Sequence, residues 1–267
     1  MSKEKSTETV LVTGASMGIG EALARRFARA GHDLVLVARS ADKLKLLADE
    51  LTNSHGIKVV TIAADLARDG EAARLATTLK RRRLAIDILV NNAGINHLGH
   101  FEKMDPAANQ AIIRLNIAAA TAMMSYFIPP MVARGHGRVL NIASTSAFVP
   151  VPFMATYAAS KAYLLSLTES VSEELHGTGV TLTALCPGVT ATPMMDAMAA
   201  DNSRFVKLIA PTVLDVTEVA DAGFDACMRG QVLRVPGRVN LLATLSSRAM
   251  PKWVTRRVVG LMARKAH

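Results

Sequence analysis

Cysteine is nearly absent: the 267 residues contain only Cys186 and Cys227. Two thiols cannot build a disulfide framework or a four-cysteine zinc site, and they suit a reducing compartment. Also missing is any unbroken run of the ~20 apolar residues that a membrane span needs. The nearest candidate, Ile117 to Ala133, contains Thr121, Ser125 and the pair Pro129–Pro130, and reads as a buried helix. Residues Met1 to Thr9 are polar and mixed in charge, without the apolar core of a signal peptide. A soluble, cytoplasmic protein is expected.

Acidic residues are missing from Ala226 to His267, where nine basic ones occur: Arg229, Arg234, Arg238, Arg248, Lys252, Arg256, Arg257, Arg264 and Lys265. Without those nine, 22 basic residues face 22 acidic ones, so the net charge of +9 describes a basic tail on a neutral body. That distribution gives no general reason to expect nucleic acid as a partner. Repeats, low-complexity segments and linkers are absent too. Residues 1–239 are expected to form one domain, followed by a basic amphipathic helical tail over 240–267.

Half of the residues are apolar and a fifth are charged, which describes a folded globular chain. Strand-like runs occur at Val10–Val12, Asp33–Val37, Lys58–Ile62, Ile86–Val90, Arg138–Ile142, Val180–Leu185 and Val232–Val235. Several are rich in β-branched residues and poor in charge, as strands buried on both faces should be. Amphipathic segments such as Glu21–Ala30, Lys43–Leu51 and Glu71–Leu79 lie between them. The alternation predicts an α/β doubly wound domain, a parallel sheet of about seven strands with helices on both faces.

The first strand runs into Thr13-Gly14-Ala15-Ser16-Met17-Gly18-Ile19-Gly20, followed by a helix. A phosphate needs a turn close enough for backbone approach and a helix N-terminus whose free N–H groups favour an anion. Gly14 permits the sharp exit from the strand, while Gly18 and Gly20 clear side chains from the approach. The spacing is G-x-x-x-G-x-G rather than G-x-G-x-x-G, and a plain glycine-rich turn would look similar. The unbroken βαβ pattern behind it favours a dinucleotide.

Tyr157-Ala158-Ala159-Ser160-Lys161 opens a helical pattern that reaches about His176. A separation of four places Tyr157 and Lys161 on one helix face. An ammonium beside a phenol favours the phenolate, which predicts a lowered Tyr157 pKa and a usable general acid/base. Three further motifs fall at strand ends: Asn91-Asn92-Ala93-Gly94, Asn141-Ile142-Ala143-Ser144, and Cys186-Pro187-Gly188-Val189-Thr190-Ala191-Thr192. Open α/β sheets bind ligands at those ends.

Taken together, these motifs resemble the short-chain dehydrogenase/reductase family, from about Thr9 to Pro236. The resemblance implies a Rossmann-like fold and an oxidoreductase. It implies that Gly14, Ser16, Gly18, Ile19 and Gly20 hold the dinucleotide phosphates and the adjacent ribose. Asp65 would bond the adenine amino group, and Asn92, Ala93 and Gly94 would flank the cofactor. Pro187 and Gly188 would border it, while Val189 and Thr192 would hold its carboxamide. Tyr157 would be the acid/base, and Lys161 would lower its pKa and bond the nicotinamide ribose. Ser144 would bond the substrate oxygen, and Asn116 would hold a water in the proton relay. Ser146 competes with Ser144, Asp65 fits a helix cap equally well, and Asn116 could simply satisfy buried backbone.

The second strand ends Val37-Ala38-Arg39-Ser40, with no acid to repel a 2′-phosphate and with a guanidinium to bind one. NADP(H) is therefore favoured over NAD(H), although Met17 stands where many NADP-dependent members carry a base. Phe153 and Met154, in the apolar stretch Ala147 to Met154, with His97 and Met194, are expected to line a pocket for a hydrophobic carbonyl or secondary alcohol. Met195 and Met198 extend that apolar stretch as lid or as core. His97 and His100 lack a nearby third ligand, so no metal is expected. On a helical wheel Val254, Val258, Leu261 and Met262 oppose Lys252, Arg256, Arg257 and Arg264. The tail then packs on its own body or partner subunit, or makes weak peripheral membrane contact. The resemblance also implies a homodimer or homotetramer, with Ile117–Met131 and the helix after Lys161 as interfaces. A non-catalytic NADP(H)-sensing protein is the rival reading, and a sugar epimerase a weaker one.

Overall fold

The structure is a computed structural model that describes residues 7–195 and 213–266. Seven strands form its sheet: β1 (Thr9–Thr13), β2 (Asp33–Ala38), β3 (Val59–Ala63), β4 (Ile88–Asn91), β5 (Gly137–Ile142), β6 (Val180–Leu185) and β7 (Leu233–Arg234). All pairings are parallel, in the order β3-β2-β1-β4-β5-β6-β7. The order reverses between β1 and β4, where Val12 lies beside both Leu36 and Val90. Such a switch point leaves a crevice at the strands' carboxyl ends.

Among the described residues, nine α-helices accompany the sheet. They are α1 (Gly18–Arg29), α2 (Ala41–His55), α3 (Glu71–Arg81), α4 (Pro106–Ile112), α5 (Ala120–Arg134), α6 (Ala155–Glu174), α7 (Val216–Met228), α8 (Arg238–Ala249) and α9 (Lys252–Ala266). Period-two alternation explains the two cores. Val10, Val12, Leu34, Leu36, Ile88 and Val90 meet Leu23 and Phe27 of α1 and Val219 of α7 on one face. Leu11, Val35, Val37, Leu89, Val139 and Leu182 meet Leu75 of α3 and Met123, Phe127 and Met131 of α5 on the other. Burial on both sides is why these strands carry apolar residues at consecutive positions.

A buried polar ladder fixes α6 to the sheet. Asn91 Nδ2 donates to Asn141 Oδ1 at 2.9 Å, and Asn141 Nδ2 donates to Thr168 Oγ1 at 2.8 Å. Thr168 Oγ1 donates in turn to Leu164 O. Removing any rung would strand a desolvated polar group.

Two sequence expectations need correction. The helix read over Ile117–Ala133 begins earlier: α4 and α5 are joined by a π-helical turn, Ile113–Ala119, giving one helix over Pro106–Arg134. By length and composition that helix could cross a membrane. However, Ile112, Asn116, Ala119, Met123, Phe127 and Met131 are buried, and the last four of these apolar residues belong to the second core. The tail's wheel is also turned. Thr255 and Gly260 face inward on α9, while Val258 and Leu261 are exposed; Met262 and Arg264 lie outside the described side chains. The helix before it, α8, is amphipathic in the inverted sense: Asn240, Thr244 and Ser247 turn inward and the leucines outward.

Candidate active site

Gly14 sits at φ +66° and Gly18 at φ +59°, so both occupy the left-handed region that side chains resist. A Cβ on Gly20 would meet Gly14 O and Asn92 Nδ2, each at 2.3 Å. The turn is closed by groups from β4. Asn92 Nδ2 donates to Thr13 O at 2.9 Å and to Gly14 O at 3.2 Å. Thr13 Oγ1 accepts from Asn92 N and Ala93 N and donates to Val90 O. Thr13 has no role in the sequence reading, yet it clasps the turn.

Beyond this turn, α1 begins without a side-chain cap. Its first N–H groups are thus available to an anion. A crevice of about 710 Å³ runs from the turn over the strand ends. Gly14, Ser16, Gly18, Ile19, Arg39 and Asp65 line one part of it. Asp65 accepts from Ala67 N at 3.2 Å, a local turn rather than a cap on α3, which starts at Glu71. Arg39 is exposed and has no ion-pair partner among the described residues. These bare-backbone and basic surfaces fit a phosphate-bearing dinucleotide.

The crevice continues past Asn92, Ala93 and Gly94 to Ser144, Tyr157 and Lys161, with Pro187, Gly188, Val189 and Thr192 opposite. Lys161 is buried, its Nζ donating to Ile142 O at 2.7 Å and lying 5.6 Å from the Tyr157 ring centroid. A Cβ on Gly94 would meet Asn116 Oδ1 at 3.3 Å and Lys161 Nζ at 3.6 Å. Ser144 Oγ accepts from Ser146 N at 3.1 Å and donates to Pro187 O at 3.5 Å.

Asn116 lies in the middle of the π-helical turn and is buried. Its Oδ1 accepts from Ile95 N, and its Nδ2 donates to Ile95 O and Ser160 Oγ. Ser160 Oγ donates to Tyr157 O at 2.7 Å. The amide therefore clamps the 92–96 loop to α6, and a water held here would need the remaining Oδ1 lone pair or the turn's backbone.

The electrostatics reverse the expectation of a lowered Tyr157 pKa: burial outweighs any help from Lys161. Burial pushes the phenol up to about 12, opposed by Ser144. Burial pushes the Lys161 ammonium down to about 8, with Cys186 acting in the opposite direction. Burial is the largest influence on both groups, and the ammonium is directed to Ile142 O.

At the far end, Met154 and Met194 line the crevice, joined by Met195, Val149 and Val151. His97 and Phe153 do not. His97 is exposed, and Phe153, held at φ +66°, stacks edge-on against His100 with its carbonyl accepting from Gly99 N. Met198 lies outside the described residues. The unforeseen lining comes from α8 and α9: Asn240, Thr244, Ser247, Thr255 and Val259, along with Met250 between the helices. The polar spacing 240, 244, 247 was the available signal. Ser146 Oγ is buried without a partner among the described residues, beside Ser144.

This sheet order, with a glycine turn at its switch point, defines the doubly wound dinucleotide-binding class. Residues 8–203 match the short chain dehydrogenase family. The chain belongs to that family of oxidoreductases. It is 34% identical to D-beta-hydroxybutyrate dehydrogenase from Rhizobium meliloti over 199 residues, 74% of this chain and 77% of that one. A short-chain dehydrogenase from Sphingobium yanoikuyae, solved in complex with NADPH, is 36% identical with a TM-score of 0.80, covering 90% of this chain and 92% of its own. The bulky-bulky ketone specific alcohol dehydrogenase from Comamonas testosteroni is 31% identical with a TM-score of 0.77, covering 91% and 93%.

Proposed function

We propose that the protein is an NADP(H)-dependent oxidoreductase acting on a hydrophobic carbonyl or secondary alcohol. The observation that carries this reading is the convergence of Ser144, Tyr157 and Lys161 on the crevice that begins at the glycine turn. When bound, the nicotinamide cofactor supplies or accepts the hydride. The chain's residues do the rest. The glycine turn and the start of α1 hold the phosphates, and Asp65 holds the adenine end. The Asn92–Gly94 segment and Pro187–Thr192 flank the ring, and Lys161 bonds the ribose.

Tyr157 exchanges a proton with the substrate oxygen, and Ser144 donates a hydrogen bond to that oxygen. A phenol pushed up to about 12 is a proton donor at neutrality, which suits carbonyl reduction. Lys161, cationic below about 8, steadies the negative charge left on Tyr157. Asn116 positions the loop and the catalytic helix, and serves the relay only through the sites its amide leaves open. The apolar end formed by Met154, Met194 and Met250 favours a bulky apolar group beside the reacting carbon.

The preference for NADP(H) rests on Arg39, just past the end of β2 and without an ion-pair partner among the described residues, and on the absence of a carboxylate there. The NADPH bound by the Sphingobium relative agrees with it. Residues 1–239 would carry the chemistry and 240–267 would shape the substrate end. A homodimer or homotetramer would form through α5 and α6, whose Tyr126 and Tyr163 are exposed. A cytoplasmic setting suits the two buried free thiols.

The test is a thermal-shift comparison of NADPH with NADH, followed by a panel of carbonyls with the preferred one. A larger shift with NADPH and turnover of bulky apolar ketones are expected. Cofactor binding without turnover across the panel would favour the sensing protein, and a larger shift with NADH would overturn the cofactor assignment.

A further inference from the structure

The inward sides of α8 and α9 line the crevice, so their outward sides are the surface of that wall. Helical geometry sets Leu242 and Leu245 diametrically opposite the inward triplet Asn240, Thr244 and Ser247. It likewise sets Trp253, Arg257 and Leu261 opposite Thr255 and Val259. The exposures are large: Leu242 65%, Leu245 54%, Trp253 59% and Leu261 56%. A helix that directs its leucines outward and Asn240, Thr244 and Ser247 inward is not completed by the described residues of its own body.

Charge identifies what completes it. Arg238, Lys252, Arg256 and Arg257 are exposed on the same two helices, and no Asp or Glu occurs from Ala226 onward. The Arg257 guanidinium lies 5.9 Å from the Trp253 ring, so cation and aromatic share one patch. A symmetric contact with a second copy would set these cations against their own equivalents. Exposed leucines and a tryptophan among unopposed cations suit an anionic bilayer instead, where the rings and leucines enter the headgroup boundary and the cations meet lipid phosphates.

We propose that the outward face of α8 and α9 docks on an anionic lipid membrane, so that the wall of the substrate crevice doubles as its membrane contact. Neither helix falls within the region matching the family, which ends at residue 203. The proposal is independent of the cofactor and substrate assigned above.

Trp253 is the only tryptophan in the chain, so intrinsic emission reports this patch alone. The full chain is mixed with vesicles of phosphatidylcholine or of phosphatidylcholine with phosphatidylglycerol, then followed by emission and co-sedimentation. With phosphatidylglycerol, emission should move to shorter wavelength and the protein should sediment. Both effects should be weak with phosphatidylcholine alone and fade near ~1 M salt, where the screening length is about 3 Å. The double variant L242S/L245S, altered only on the exposed face, keeps Trp253 as reporter and should bind at least tenfold more weakly with its thermal transition unchanged. Three results would overturn the proposal. One is unmoved emission with anionic vesicles at low salt, and another is equal binding by the double variant. The third is an emission shift in lipid-free buffer that grows with protein concentration alongside molecular mass, which would assign the face to a second copy.

Discussion

The ammonium of Lys161, on the second turn of α6, is hydrogen-bonded at 2.7 Å to the carbonyl oxygen of Ile142, the last residue of β5. One bond thus ties the helix carrying Tyr157 to the strand that leads into Ser144. It also holds a charge where water is scarce.

That buried charge is a cost. The folded value of about 8 lies below the ordinary 10.5, so between these values the unfolded chain binds more protons. This group therefore favours folding more as pH rises from about 8 to 10.5, and below pH 8 its full cost is present. Lys161→Met should hold or raise the melting temperature at pH 7 while removing turnover. A drop of several degrees in a thermal scan would contradict this.

The same value predicts a pH profile. For carbonyl reduction, kcat/KM should be flat through neutrality, where Tyr157 is protonated and Lys161 charged, and fall above about 8 as the ammonium is lost. Initial rates between pH 6 and 10, taken at saturating cofactor, check it. A profile that rises through pH 8 would refute the assignment of that limb.

Tyr157→Phe removes only the phenolic oxygen. Turnover should fall by about 10²–10⁴-fold, the usual worth of a positioned proton donor. Ser144→Ala should cost about 10²–10³-fold, as for one oxyanion donor. Both should leave NADPH affinity within about threefold in a fluorescence titration. Retained turnover in the tyrosine variant would reject its role.

Arg39→Ala should weaken NADPH binding by roughly 10- to 100-fold, the size of a lost charge-assisted hydrogen bond. NADH binding should hardly change. Calorimetric titration of both cofactors against both proteins gives the ratio directly, and equal losses would disprove 2′-phosphate recognition.

Gly20→Ala places a Cβ 2.3 Å from Gly14 O, a backbone atom unable to swing aside. Overpacking of this kind costs about 1–3 kcal/mol. The variant should melt several degrees lower and lose at least tenfold in NADPH affinity. An unchanged thermal shift with NADPH would show that the turn is not the phosphate cradle.

Most of the sheet was legible because its strands are buried on both faces, so each reads as a run of Val, Leu and Ile. Each expected strand lies within two residues of the observed one; β4, for instance, starts at Ile88 rather than Ile86. The strand-end motifs were legible because strand ends converge at the switch point. Less could be read where tertiary context overrides local pattern. The π-helical turn around Asn116 leaves no compositional trace. His97 and Phe153 follow the right motifs, but a left-handed backbone at Phe153 turns that segment toward His100. In α8 the usual rule, apolar inward, pointed the wrong way, since that helix lines a crevice with polar groups and leaves its leucines uncovered.

Asn141 spends one side-chain amide across the Asn91–Asn141–Thr168 ladder, which locks α6 against the sheet independently of α8 and α9. The helix carrying Tyr157 is thus fixed by bonds that the two outer helices do not supply, while Asn240 of α8 packs on Gly188 at the rim of the site. Substitutions on the inward sides of the two outer helices would therefore reshape the far end of the crevice while leaving that ladder in place.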